Sequence, residues 1–181
     1  MEPITASTAL PATDDRVLVF DELYRAHRDR VYAWALRYGT GRVAWAEDVT
    51  HDVFLQLHGH LARLETDDLG GWLYRVTANT ALARLRSEAS WFGRLSRVFS
   101  TDEADRPDDA LERRDDAAAA LRLLETLPPK ERMAVSMHVL DGLTQREIAR
   151  TLGLSEGYVS KLLARGWQKI RAAGWEVDDV T

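Results

Sequence analysis

The sequence predicts an all-α protein of two small helical domains joined by a flexible acidic linker. Apolar residues recur at three- and four-residue spacings through both halves, the pattern of amphipathic helices. Nothing in the first half alternates with period two, as a half-buried strand would, and proline is absent from its interior. Between the halves, residues 100–109 read STDEADRPDD, a polar and acidic composition that suits a linker and cannot build a core.

In the first half, Phe20, Leu23, Tyr24, His27, Val31, Ala35 and Tyr38 share one helical face, and Gly39 with Gly41 ends that helix. A second helix is predicted over about 44–61, with Ala46, Val49, Val53, Phe54, Leu57 and Leu61 inward. The loop 66–71, TDDLGG, gives a cap-like start to a third helix, predicted from Trp72 to Ser87. The segment from Trp91 to Phe99 is unusually apolar for the start of a linker; it either extends the first domain or docks on a partner. In the second half, Leu121, Leu124 and Leu127 lead to Pro128 and Pro129. Met133, Met137 and Leu140 mark a helix that stops at Asp141 and Gly142, and two short helices follow over 144–152 and 156–172. The expected division is a disordered segment 1–15, a helical domain 16–99, a linker 100–116, a second helical domain 117–175 and an acidic tail 176–181.

The 181 residues carry a net charge of −5, which at first argues against a nucleic-acid partner. The distribution reverses that impression. Residues 16–100 hold 12 basic and 10 acidic side chains, and residues 117–175 hold 9 basic and 5 acidic. The negative excess sits in the first fifteen residues, the stretch 101–116 and the tail, and local charge decides nucleic-acid contact. There is no cysteine, hence no disulfide and no thiolate metal site, which fits a reducing cytosol. Met1 to Ala12 lacks the basic and apolar runs of a secretory signal, and no stretch is apolar enough to span a membrane.

The strongest local signal is residues 145–164, QREIARTLGLSEGYVSKLLA. Ile148, Ala149 and Leu152 face inward on a first short helix, and Ala149 is small enough for a second helix to cross closely. Gly153 sits where a left-handed backbone is needed, Leu154 plugs the turn, and Ser155 suits the N-cap of the second helix, whose Val159 and Leu162 face inward. This is a helix-turn-helix. It leaves Ser155, Glu156, Tyr158, Ser160, Lys161 and Arg165 outward, several of them able to contact base edges or phosphates.

With four segments in this order, the chain resembles the extracytoplasmic-function (ECF) sigma factors of bacterial RNA polymerase. They are AEDVTHDVF (46–54), WLYRVTAN (72–79), LPPKER (127–132) and LDGLTQREIA (140–149), and the resemblance runs from about Phe20 to Arg171. It implies a promoter-melting helical domain, a linker and a helix-turn-helix domain. It further implies that Asp48, Asp52, Leu55 and Gln56 on the second helix dock on core RNA polymerase. The third helix and its preceding loop, through Thr66, Arg75, Asn79 and Arg86, would read the minus-ten element and hold an extruded base. The recognition helix, through Ser155, Glu156, Tyr158, Ser160, Lys161 and Arg165, would read the minus-thirty-five element. The implied partners are core RNA polymerase, promoter DNA and an anti-sigma factor, in the cytoplasm, with no cofactor and no catalysis. The sequence departs from the family pattern at His51, Ala83, Tyr158 and the pair Lys161–Leu162.

The residues offer little else in the way of chemistry. His58 and His60 point to different sides of a helix, His51 and His58 have no carboxylate to complete a shell, and no glycine-rich phosphate loop is present. Met133 and Met137 at helical spacing read as core. The competing reading is a stand-alone helix-turn-helix regulator, which would bind its operator unaided and usually as a symmetric dimer.

Overall fold

The computed structural model describes residues 13–61, 68–98 and 115–175. Residues 1–12, Thr66 with the rest of 62–67, the acidic stretch through Arg114 and the tail from Glu176 lie outside them. Seven helices make up the described residues: α1 (Thr13–Tyr38), α2 (Val43–His60), α3 (Leu69–Val98), α4 (Asp115–Thr126), α5 (Pro129–Val139), α6 (Gln145–Leu152) and α7 (Glu156–Ala172).

Helices α1, α2 and α3 pack on one another. Val31, Trp34, Ala35 and Tyr38 of α1 are buried at helical spacing, opposite Ala46, Val49, Val53, Phe54 and Leu57 of α2. Leu69, Leu73, Ala81, Leu82 and Leu85 of α3 complete this core. The corner between α1 and α2 is tight. A side chain at Gly39 would place its Cβ 2.5 Å from the Trp45 ring, so only glycine lets the two helices approach there. Helix α3 starts three residues before Trp72 because Asp68 caps it, accepting the Gly71 N–H at 2.9 Å. It also runs on to Val98, past the predicted end at Ser87, so most of the apolar segment from Trp91 continues the helix; Trp91 itself is exposed.

The second half packs α5, α6 and α7 together, with α4 laid on α5. Pro129 at the first helical position opens α5, where its missing N–H costs nothing. Met133 and Met137 are fully buried with Leu127, Ile148 and Val159. Helices α5 and α7 touch at Gly166, where a Cβ would lie 2.6 Å from Val135 Cγ2. The two halves also meet: α3 packs on α5 and α6, and α1 on α5.

Candidate nucleic-acid interface

The helix-turn-helix is locally determined at every joint. Thr144 and Glu147 form a capping box: the Thr144 N–H donates to Glu147 Oε2 at 2.8 Å, and the Glu147 N–H donates to Thr144 Oγ1 at 3.3 Å. These hydrogen bonds, the Thr144 hydroxyl's first, hold the Glu147 carboxyl below its ordinary range. Gly153 adopts φ 64°, the left-handed turn conformation, and Ser155 Oγ accepts the Tyr158 N–H at 3.3 Å. Ile148, Ala149, Leu152, Val159 and Leu162 are buried. The face left to solvent carries Ser155, Glu156, Ser160, Lys161 and Arg165, all exposed. Tyr158 differs: it is half-buried against the core, with the Lys130 ammonium 5.2 Å from its ring centroid.

On α3, Arg75, Asn79 and Arg86 are exposed. Asn79 nonetheless has partners. Its Nδ2 donates to Arg75 O at 2.9 Å, one turn back, and to Thr151 O of α6 at 3.2 Å. A residue expected to hold a base thus touches the helix-turn-helix. Trp72 is half-buried against the core.

On α2, Asp48 and Leu55 are exposed and Asp52 is half-exposed. The two aspartates share one guanidinium, Arg84 of α3, at 2.8 Å from Asp48 and 3.3 Å from Asp52. Gln56 donates to Thr80 Oγ1 at 3.0 Å. The acidic stripe is therefore held in place by α3. A groove of about 580 Å³ runs beside it between α1 and α2, lined by Phe20, Tyr24, Tyr32, Phe54, Leu55 and His58.

Sequence reasoning missed the seam between the halves. Asp141, read as a helix stop, is almost fully buried against the first half. Its Oδ2 accepts the hydroxyls of Tyr38 at 2.7 Å and Tyr74 at 2.8 Å, and Arg37 Nη2 lies 2.8 Å from its Oδ1. Burial pushes both phenols well above the ordinary tyrosine range. Nearby, Thr40 has φ 54°, an uncommon conformation for a β-branched residue, and its hydroxyl lies 2.6 Å from Glu125 Oε1 of α4. No local pattern announces contacts that span about a hundred residues. The capping box was missed as well, although its signal is local: a threonine followed three residues later by a glutamate at the start of an apolar-periodic run.

Two family models match the chain: Sigma-70 region 2 over residues 23–91 and Sigma-70 region 4 over residues 117–170. The chain is 31% identical to the ECF RNA polymerase sigma factor SigM of Mycobacterium tuberculosis, over 81% of this chain and 72% of that protein. It is 31% identical to SigE of Mycolicibacterium smegmatis and 30% identical to BldN of Streptomyces coelicolor. These matches take in 92% and 81% of this chain, but the chain spans only 66% and 56% of those two relatives. Among solved structures it is similar to the sigma factor RpoE of Bartonella quintana, crystallised with the anti-sigma factor NepR, with a TM-score of 0.57 and 18% identity over 85% of this chain and 95% of that one. CnrH, solved with the cytosolic domain of CnrY, gives a TM-score of 0.54 at 22% identity over 87% and 88% of the two chains. At these identities the likeness is one of fold. A three-helix body matching region 2, followed by a capped helix-turn-helix matching region 4, together with relatives along most of the chain, places it: the chain belongs to the ECF family of RNA polymerase sigma factors.

Proposed function

We propose that the chain binds core RNA polymerase, brings it to promoters and helps open the duplex, acting by binding and without catalysis. In this reading residues 16–99 and 117–175 are the two working domains. Asp48, Asp52, Leu55 and Gln56 face the polymerase; an acidic stripe beside an exposed leucine suits a basic, partly apolar partner. Arg75, Asn79 and Arg86, with Thr66 from the preceding loop, take the minus-ten strand, where binding an extruded base offsets lost stacking. Ser155, Glu156, Ser160, Lys161 and Arg165 read the minus-thirty-five element, and Tyr158 braces that helix from its half-buried position. An anti-sigma factor is the expected regulator, and the cytoplasm, where the polymerase is, the expected place of action.

The observation that carries the reading is the pairing of two different exposed polar faces on one chain. One is the recognition face of α7 on a fully capped helix-turn-helix; the other is the Arg75–Asn79–Arg86 face of α3. A duplex-reading module and a strand-holding helix together suit promoter opening better than operator binding. Run-off transcription with core polymerase tests it: start sites absent with core alone should appear when the chain is added. Protection of a symmetric duplex site by the free chain, without polymerase, would favour a stand-alone regulator.

A further inference from the structure

Lys130 is the one lysine whose place neither the packing of the second half nor the recognition face accounts for. All the lysines of the chain, Lys130, Lys161 and Lys169, lie in that half. Lys161 is exposed on the recognition face of α7. Lys169 donates to Glu131 Oε2 at 2.7 Å and so neutralises a carboxylate that is almost fully buried. Lys130 stands in the first turn of α5, next to Pro129, where the helix macrodipole disfavours a positive charge. Its neighbour Glu131 is already paired with Lys169, and among the described residues Lys130 has no carboxylate partner.

What holds it is Tyr158. The Lys130 ammonium lies 5.2 Å from the centroid of that ring, within the reach at which a ring quadrupole attracts a cation. Tyr158 is itself fixed. Its N–H donates to Ser155 Oγ at 3.3 Å and to Ser155 O at 3.0 Å, and its half-buried ring packs against the core. A ring that rests on the core and carries an ammonium has little free face on which to stack a base.

The place of this pair gives it a use. Tyr158 lies in the first turn of α7. In a helix-turn-helix the residues at the start of the recognition helix enter the major groove, whose edges are lined by phosphates. Lys130 is thus carried from α5, outside the helix-turn-helix proper, to the mouth of that groove. Attraction to a ring face uses the charge of the ammonium and leaves its three N–H donors for oxygen acceptors, which they do not meet among the described residues.

We infer that Lys130 contacts a backbone phosphate beside the minus-thirty-five element, and that Tyr158 is its positioning residue. The ring holds the ammonium at the start of the recognition helix instead of reading a base. The tyrosine at position 158, a departure from the family pattern, then sets the geometry of a contact made by another helix. This inference rests on the reading that the chain directs polymerase to promoters, which run-off transcription by the unaltered chain tests separately.

The test uses the full chain with core polymerase and a duplex promoter defined by the start sites that the unaltered chain produces. Binding is measured over a series of salt concentrations. Each phosphate contact adds about 0.9 to the steepness of log affinity against log salt, so Lys130→Gln should make that slope shallower by about one. Lys130→Arg, which keeps a cation for the ring, should retain most of it. The loss should be the same across base changes in the upstream element, as befits a phosphate contact, and should vanish on a fragment that ends downstream of that element. Tyr158→Phe keeps the ring and should keep the slope, whereas Tyr158→Leu removes the π-face and should flatten it. Adding Tyr158→Leu to Lys130→Gln should flatten it no further, since both remove one contact. Helical content and the midpoint of urea unfolding should be unaltered in the Lys130 variants. An unchanged slope in Lys130→Gln overturns the inference. So does a Tyr158→Phe that loses as much as Tyr158→Leu, which would make the hydroxyl the group that meets DNA, and so do additive losses in the double variant. Initiation by the unaltered chain alongside any of these results leaves the promoter reading standing; no initiation removes both.

Discussion

Tyr38 and Tyr74 hold the seam with hydroxyls that have left the ordinary tyrosine range, and the sign of that shift makes a prediction. Folded values above the unfolded value of 10.0 mean that their contribution is complete below pH 10 and declines as pH rises beyond it. Spectrophotometric titration should therefore show two of the five tyrosines ionising late, together with loss of energy transfer between dyes attached to the two halves. All five ionising near pH 10 with the halves still together would contradict the geometry. Asp48 and Asp52 make a second residue-scale case. Reversing both to lysine should weaken polymerase binding by roughly 1–3 kcal/mol, the range for interface charges, with helical content preserved. Because Arg84 bridges the two aspartates, Arg84→Gln is the control, freeing the acidic stripe without removing it, and should not weaken binding. The sequence placed these aspartates off the apolar face but gave no hint of Arg84, since a partner 32 or 36 residues away leaves no local trace.

At the scale of elements, what was legible was what is local. The faces of α1 and α2, the turn glycine at 153 and the Ser155 cap follow from spacing and turn chemistry within a few residues. The length of α3 does not. Ser87 looked like an end because the inward pattern stops near Leu85, yet nothing in the following residues breaks a helix, so the backbone continues to Val98. Two substitutions probe the local determinants. Thr144→Ala removes the reciprocal cap of α6 and should cost about 1 kcal/mol of stability in urea unfolding. Gly166→Val drives new atoms into Val135 and should cost about 1–3 kcal/mol as overpacking. A neutral Gly166→Val would contradict the close packing of α5 on α7 at this position.

At the scale of the molecule, the division of labour between halves predicts weak binding by each alone. One recognition helix with Lys161 and Arg165 as its chief cations offers few contacts, so the free chain should bind promoter duplex no better than nonspecific affinities of about 10⁻⁴–10⁻⁶ M. Core polymerase, by fixing the spacing of the halves, should convert two weak sites into one strong one. In that complex Lys161→Ala should impair recognition of the upstream element. Asn79→Ala should spare it and reduce the permanganate reactivity of unpaired thymines. Nanomolar protection of a symmetric duplex by the free chain would sink this account. The family was readable from four short segments, because sequence patterns record each half separately. The contact between halves was not, because it rests on single side chains brought together across the whole chain.

The continuation of α3 to Val98 bears on how far apart the halves can be held. Glu88 ties α3 to the first core through Arg42 and the Trp45 indole, and the ten residues from there to Val98 add about 15 Å of helix at ~1.5 Å each. From Val98 to Asp115 a chain can stretch at most about 60 Å at ~3.3–3.6 Å per residue. The helix past Glu88 and the residues up to Asp115 could together span at most about 75 Å, close to the roughly 85 Å between promoter elements (about 25 base pairs at ~3.4 Å each) once the width of the second half is added. A connection whose greatest span barely meets the distance would serve as a ruler. Deleting residues 102–111 would remove about 35 Å of reach at the same rise. In a library of promoters that vary only in spacer length, the shortened chain should shift its preference toward shorter spacers while core binding holds steady. An unchanged preference would show that the polymerase alone keeps the measure.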